Sequence, residues 1–159
     1  RLLNIFFNFV EEKTGLEVVI AAHPRSNYED LPDYFKGRKC IRGRTMHLVK
    51  ECRLVLAHSS TAISFANLFY KPVSFMAFSD LKDTWDYYSV KAMADYFGKT
   101  LMHIDKHNNI NFEKELMVDK GCYSRYRRDY IKTINSDDIP LWQIIANRLK
   151  KLNGSLASE

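Results

Sequence analysis

Two short segments carry side chains suited to gripping an anion. Ala22-His23-Pro24-Arg25 delivers an imidazole and a guanidinium directly after an apolar run, and His58-Ser59-Ser60-Thr61 delivers an imidazole and three hydroxyls directly before a helical pattern. An imidazole N–H and hydroxyls can donate to phosphate oxygens, a guanidinium adds a fixed positive fork, and N–H groups at a helix start extend the donor set. The chemistry that fits is the binding of a phosphate and the stabilisation of charge that develops on it as a bond breaks. A plain structural reading stands beside each: Ser59 or Ser60 caps the following helix by bonding an early helical N–H, and His23 simply ends a strand.

Other residues offer less. Arg25, Arg38, Lys39, Arg42 and Arg44 make one segment basic, which is either a solvated loop or an electrostatic funnel for an anionic ligand. His103 and His107 are four apart, but Asp105-Lys106 and Asn108-Asn109 read as turn, so no metal is expected. His47 belongs to a predicted helix, and His58 is either a partner of the serines or a buried, satisfied histidine. Trp85-Asp86-Tyr87-Tyr88 either packs in the core or stacks on a base or sugar. The run Arg125, Tyr126, Arg127, Arg128 and Tyr130 suits an interface with another domain ahead of an anionic membrane surface or nucleic acid. Cys40, Cys52 and Cys122 are odd in number and widely spaced, which argues against a disulfide framework or a paired metal site and points to a reducing cytoplasm.

The elements that must position these groups are legible in the apolar pattern. Leu2, Leu3, Phe6, Phe7 and Val10 recur at helical spacing up to Gly15. Leu16 to Ala22 is a short β-branched run of the kind buried on both faces of a parallel sheet, and Arg53 to His58 is another. Arg25 to Gly43 reads as a long loop with at most one helical turn. Thr45 caps a short helix over Met46 to Cys52, and Ser59-Ser60-Thr61 opens a helix ending at Lys71-Pro72. Val73 to Phe78 is a strand, Trp85 to Phe97 a helix stopped by Gly98, and Leu101 to Ile104 a weak strand. Two C-terminal helices follow over Tyr123 to Ile134 and Pro140 to Leu152, the second capped from Ser136-Asp137-Asp138, with a frayed tail from Asn153 to Glu159. Alternation of strand and helix predicts an α/β fold: a Rossmann-like parallel sheet with helices on both faces, forming one domain over 1–159. In such sheets ligands bind at the carboxyl ends of the strands, where both anion-gripping segments fall.

Composition sets the frame. The chain has 159 residues with 46% hydrophobic content, enough for one self-supporting core, and 24 Lys plus Arg against 19 Asp plus Glu give a net charge of +5. That excess is less dense than a nucleic-acid-binding stripe and suits a protein handling phosphorylated small molecules or working beside an anionic membrane. No run of about 18 to 20 apolar residues exists to span a membrane, and the N-terminal segment lacks the features of a signal peptide. The opening inside a helix, without an initiator Met, predicts a piece of a longer protein.

The two motifs, within V-V-I-A-A-H-P-R and L-V-L-A-H-S-S-T-A-I-S-F-A-N-L-F-Y-K-P-V, resemble the C-terminal, nucleotide-binding half of bacterial glycosyltransferases of the GT-B type, particularly sialyltransferases and related capsule or lipopolysaccharide enzymes. The resemblance spans about Leu16 to Phe78 and rests on His23-Pro24 and Ser59-Ser60-Thr61. It implies a GT-B C-terminal-type domain that takes a CMP-activated sugar as donor in surface polysaccharide biosynthesis, with no cofactor and no metal. It implies that His23 stabilises the leaving CMP, that His23, Arg25, Ser59, Ser60 and Thr61 bind its phosphate, and that Arg42, Gly43, Arg44 and Thr45 lie near base and ribose. UDP-sugar enzymes of this architecture usually carry a ribose-binding Glu in the helix after the phosphate loop. Here that helix reads Ala62-Ile63-Ser64-Phe65-Ala66-Asn67, which disfavours UDP. The general base and acceptor site would lie on an N-terminal domain outside this chain. The implied location is the cytoplasm, with peripheral contact at the inner face of the membrane, and no nucleic-acid partner. CDP-glycerol glycerophosphotransferases share a strand-end His-Pro and a later Ser-Ser stretch, though usually after Asp-Tyr where Ala57-His58 stands here. A non-catalytic nucleotide or phosphosugar module is the third alternative.

Overall fold

In a computed structural model of the chain, which describes residues 1–31 and 33–156, parallel strands alternate with helices. Helix α1 (Leu2–Thr14) is followed by β1 (Ile20–Ala22), β2 (Cys40–Arg42), α2 (Thr45–Glu51), β3 (Val55–Ala57), α3 (Ile63–Leu68), β4 (Val73–Ala77), α4 (Trp85–Tyr96) and β5 (Met102–His103). The C-terminal part is helical: α5 (Phe112–Glu115), α6 (Lys120–Tyr126) running into a π-helical turn over Arg127–Ile131, and α7 (Leu141–Leu156). The last three residues of the expected tail lie outside the described residues, while 153–156 continue α7.

The strands form two hydrogen-bonded groups, β1 with β2 and β3 with β4 and β5, parallel within each. The expected single ladder is therefore divided in two. Connections of two residues before α2 and three after it join β2 to β3 through that helix. Both groups also share their packing. Ile20 of β1, Leu56 of β3, Met76 of β4 and Met102 of β5 belong to one apolar cluster with Phe6, Phe7 and Val10 of α1. Val55 and Ala57 of β3 and Val73, Phe75 and Ala77 of β4 turn to the opposite cluster, with Val49 of α2, Ile63 and Ala66 of α3, Tyr87, Val90 and Ala94 of α4, and Tyr123 and Tyr126 of α6. Neighbouring residues of a strand point to opposite faces, so helices cover both faces of the strand layer. That double burial explains why these strands read as unbroken apolar runs. Each fully buried side chain such as Val73 or Phe75 contributes about 1.5–3 kcal/mol.

Several boundaries differ from the pattern. β1 and β3 are three residues each, because 16–19 and 53–54 stay outside the strand pairing. The segment Arg25 to Gly43 holds the paired strand β2 besides one 3₁₀ turn at Tyr28–Asp30. Two apolar residues beside Arg42 carry too little periodicity to announce it. Thr45 is the first residue of α2, whose N-cap is Arg44, and α5 adds a turn of helix where none is predicted. Ser136 donates back to the Thr133 carbonyl and Asp138 pairs with Lys132 at 2.8 Å, so these side chains stabilise the preceding turn.

Candidate functional site

β1 ends in His23-Pro24-Arg25, with His23 and Arg25 exposed. The Arg25 amide donates to His23 Nδ1 at 3.1 Å. In the neutral imidazole this leaves the proton on Nε2, where it can be donated to an anion. The loop beyond is shaped from both ends: the Ser26 amide and hydroxyl donate to the His23 carbonyl, and Arg42 Nη1 of β2 donates to the Ser26 carbonyl at 3.1 Å. Arg42 thus braces the loop that carries His23. Gly43 takes φ +74° with open space around it, which lets the chain turn from β2 into α2. Arg44 is exposed there and Thr45 half-buried.

β3 ends in His58-Ser59-Ser60-Thr61, all four exposed. Exposure excludes the buried-histidine reading of His58. The Ser60 hydroxyl accepts from the Ala62 amide at 3.1 Å, a local turn bond just ahead of the helix, and its O–H proton is still there to be donated, while α3 itself, with Ala62 as N-cap, has no side-chain cap. The amides of Ile63, Ser64 and Phe65 already donate to the carbonyls of Ser60, Thr61 and Ala62. The expected free N–H groups at the start of α3 are therefore consumed by its own first turn, and any anion contact here falls to the Ser59–Thr61 segment. Helix α2 packs against both β1 and α3.

The basic segment divides. Arg38 is withdrawn from any funnel: it donates to Glu11 Oε2 at 2.6 Å and Asn8 Oδ1 at 2.6 Å, and lies over the Phe7 ring at 5.5 Å. This bond holds the Glu11 carboxyl below its ordinary range. Lys39 pairs with Glu17 at 3.0 Å. Arg25, after β1, and Arg44, after β2, remain exposed.

Sequence reasoning overlooked a second cluster at the carboxyl ends of β4 and β5. The Ser79 amide donates to Asp105 Oδ1 at 2.9 Å and keeps that carboxyl below the usual aspartate range. Tyr87 and His103 join through Tyr87 OH and His103 Nε2 at 2.9 Å, their rings stacked. Their spacing of 16 residues gives no sequence signal. His107 instead bonds the Ile104 carbonyl and packs on Phe6 and Phe9, so the two histidines serve different structures. Trp85, at the start of α4, is 83% exposed, against a role in the core, while Tyr87 is buried. In the Arg125 to Tyr130 run Tyr126 is buried, Arg125 stacks on Tyr96 at 4.3 Å and Arg127 on Tyr70 at 5.2 Å. Among the described residues no group of three or more His, Cys, Asp or Glu is placed to hold a metal ion, and no helix is long and apolar enough to cross a membrane. Cys52 and Cys122 are free thiols.

Comparison with known proteins finds no matching family model, no matching curated protein and no matching solved structure.

Proposed function

We propose that this chain is a donor-nucleotide-binding domain of a glycosyltransferase, with a Rossmann-like arrangement of GT-B C-terminal type, taking a CMP-activated sugar in bacterial surface polysaccharide synthesis. The observation that supports this reading is the pair of strand ends, His23-Pro24-Arg25 after β1 and His58-Ser59-Ser60-Thr61 after β3, with their polar side chains exposed. In the proposed reaction an acceptor hydroxyl forms the new bond to the anomeric carbon, giving its proton to a base on a second domain. The bond from that carbon to the CMP phosphate oxygen breaks, and the electron pair leaves on the oxygen. His23 Nε2–H and the serine hydroxyls donate to the phosphate as that charge develops, which favours the transition state over the ground state. Arg42, Gly43, Arg44 and Thr45 flank base and ribose. The reaction needs no metal, and the enzyme works in the cytoplasm.

Calorimetric titration of the chain with CMP, CDP, UMP, UDP and GDP tests the reading. Cytidine nucleotides bind ahead of uridine and guanosine ones if it is right. No heat from any of the five, or preference for GDP, overturns it, and preference for CDP over CMP moves the assignment to a CDP-glycerol enzyme.

A further inference from the structure

Helix α7 turns its apolar side to solvent. Leu141, Trp142, Ile145 and Leu149 are 71%, 68%, 49% and 56% exposed, although the apolar stripe of a helix in a folded domain ordinarily faces a core. At about 100° per residue the four occupy one arc of about 100°, so they form a single stripe. Another side of the helix, with Ile144, Asn147 and Lys150, lines a depression against Asn135–Asp137 of the same chain, and the exposed Arg148 and Lys151 stand on the rim between that depression and the stripe. Arg148 and Lys151 border the stripe along one flank, and α7 contains no Asp or Glu.

We propose that α7 is a membrane-surface helix that lies in the interface of a bilayer rich in anionic lipid, its stripe among the acyl chains and Arg148 and Lys151 at the headgroups. The charge selects this occupant. A second copy of the helix would set Arg148 and Lys151 against their own kind with no acid on α7 to meet them, whereas acidic headgroups complement them. Trp142 on the stripe is a side chain that favours the interface between water and lipid. The Arg125 to Tyr130 run does not compete for this role, since its rings and guanidinium groups are largely engaged within the protein. The inference is independent of the nucleotide reading.

Sedimentation of the chain with vesicles of phosphatidylcholine alone, and of phosphatidylcholine mixed with phosphatidylglycerol, tests it. The protein pellets with the anionic vesicles, stays in solution with the neutral ones, and is released by salt. The chain has two tryptophans, so in a Trp85→Phe background the emission of Trp142 shifts to shorter wavelength with anionic vesicles only. Ile145→Glu combined with Leu149→Glu abolishes pelleting and leaves the melting temperature of the free protein unchanged. Arg148→Glu combined with Lys151→Glu weakens binding at least tenfold, each basic residue near an anionic surface being worth about fivefold. Four results overturn the proposal: no pelleting with either vesicle, equal pelleting with both, a solution dimer that the Ile145/Leu149 pair of substitutions converts to monomer, or a marked fall in melting temperature from that pair, which would mean the stripe packs on the protein.

Discussion

The Arg25 amide fixes one nitrogen of His23 and the Ala62 amide occupies one lone pair of Ser60, so each side chain is oriented before any ligand arrives. The two substitutions consequently separate binding from folding in different ways. His23→Ala is expected to weaken nucleotide binding by roughly 10- to 150-fold, the worth of one charge-assisted contact of about 1.5–3 kcal/mol, with little change in melting temperature because the ring is exposed. Ser60→Ala should weaken binding and also lower the melting temperature by a few degrees, since it removes a local turn hydrogen bond worth about 1 kcal/mol. Titration calorimetry and thermal melts on both variants check this; normal binding by a destabilised Ser60→Ala would reduce Ser60 to its role in the turn. Arg38 makes a second residue-scale case. Its bonds depress the Glu11 carboxyl in the folded chain, so the pair's stabilisation is present above the ordinary glutamate pKa and is lost as pH falls through the lower, folded value. A Glu11→Gln variant should therefore be less stable than the parent at neutral pH and approach it in acid, measured by urea denaturation across pH. Nothing near Arg38 in the sequence announces this, because Glu11 and Asn8 lie 27 and 30 residues away. Local composition alone makes Arg38 a loop cation.

At the scale of elements, β4 and α4 were legible because each is long enough to repeat its pattern: β4 buries Val73, Ser74, Phe75 and Ala77, and α4 ends where Gly98 takes φ +67°. β2 was not, since three residues with an exposed arginine give one alternation, and its identity depends on pairing Cys40 to Ile20 across the loop. The same dependence on tertiary partners hides Lys99, whose ammonium donates to the carbonyls of Lys114, Glu115 and Met117 and lies 3.8 Å from Glu115, itself bonded to Ser74 of β4. Burial pulls the Lys99 pKa down while the Glu115 charge opposes that shift. Gly98 shows how tightly the stop of α4 is set against α6. A Cβ there would lie 3.2 Å from Cys122 Sγ on a backbone that L-residues rarely adopt. Gly98→Ala should cost about 1–3 kcal/mol in denaturant unfolding, and Cys122→Ala in the same chain should recover the contact part of that loss but not the backbone part. Full recovery would show that the backbone there is unstrained.

Across the whole molecule the strand layer is the common support: both apolar clusters hang on it, and the two candidate loops leave its two hydrogen-bonded groups separately, one after β1 and one after β3. The alternation of strand and helix made the α/β class readable from sequence, while the division of the strands into two hydrogen-bonded groups was not, because pairing is decided between residues far apart in the chain. A ligand gripped by both loops would bridge a place where no backbone ladder does. Binding to the folded chain alone should therefore stabilise the entire cooperative unit. At a CMP concentration about 100 times its dissociation constant the gain is about 2.7 kcal/mol, and a domain of this size gains about 2 to 4 °C per kcal/mol, so the melting temperature should rise by about 5 to 10 °C. The His23→Ala variant at that same concentration sits at or below about ten times its weakened dissociation constant, which leaves about 1.4 kcal/mol or less. Its shift should accordingly fall to half or below, with UMP giving less than CMP in the parent chain. Flat melting curves with every nucleotide, or an undiminished shift in His23→Ala, would show that this edge of the sheet does not hold the phosphate.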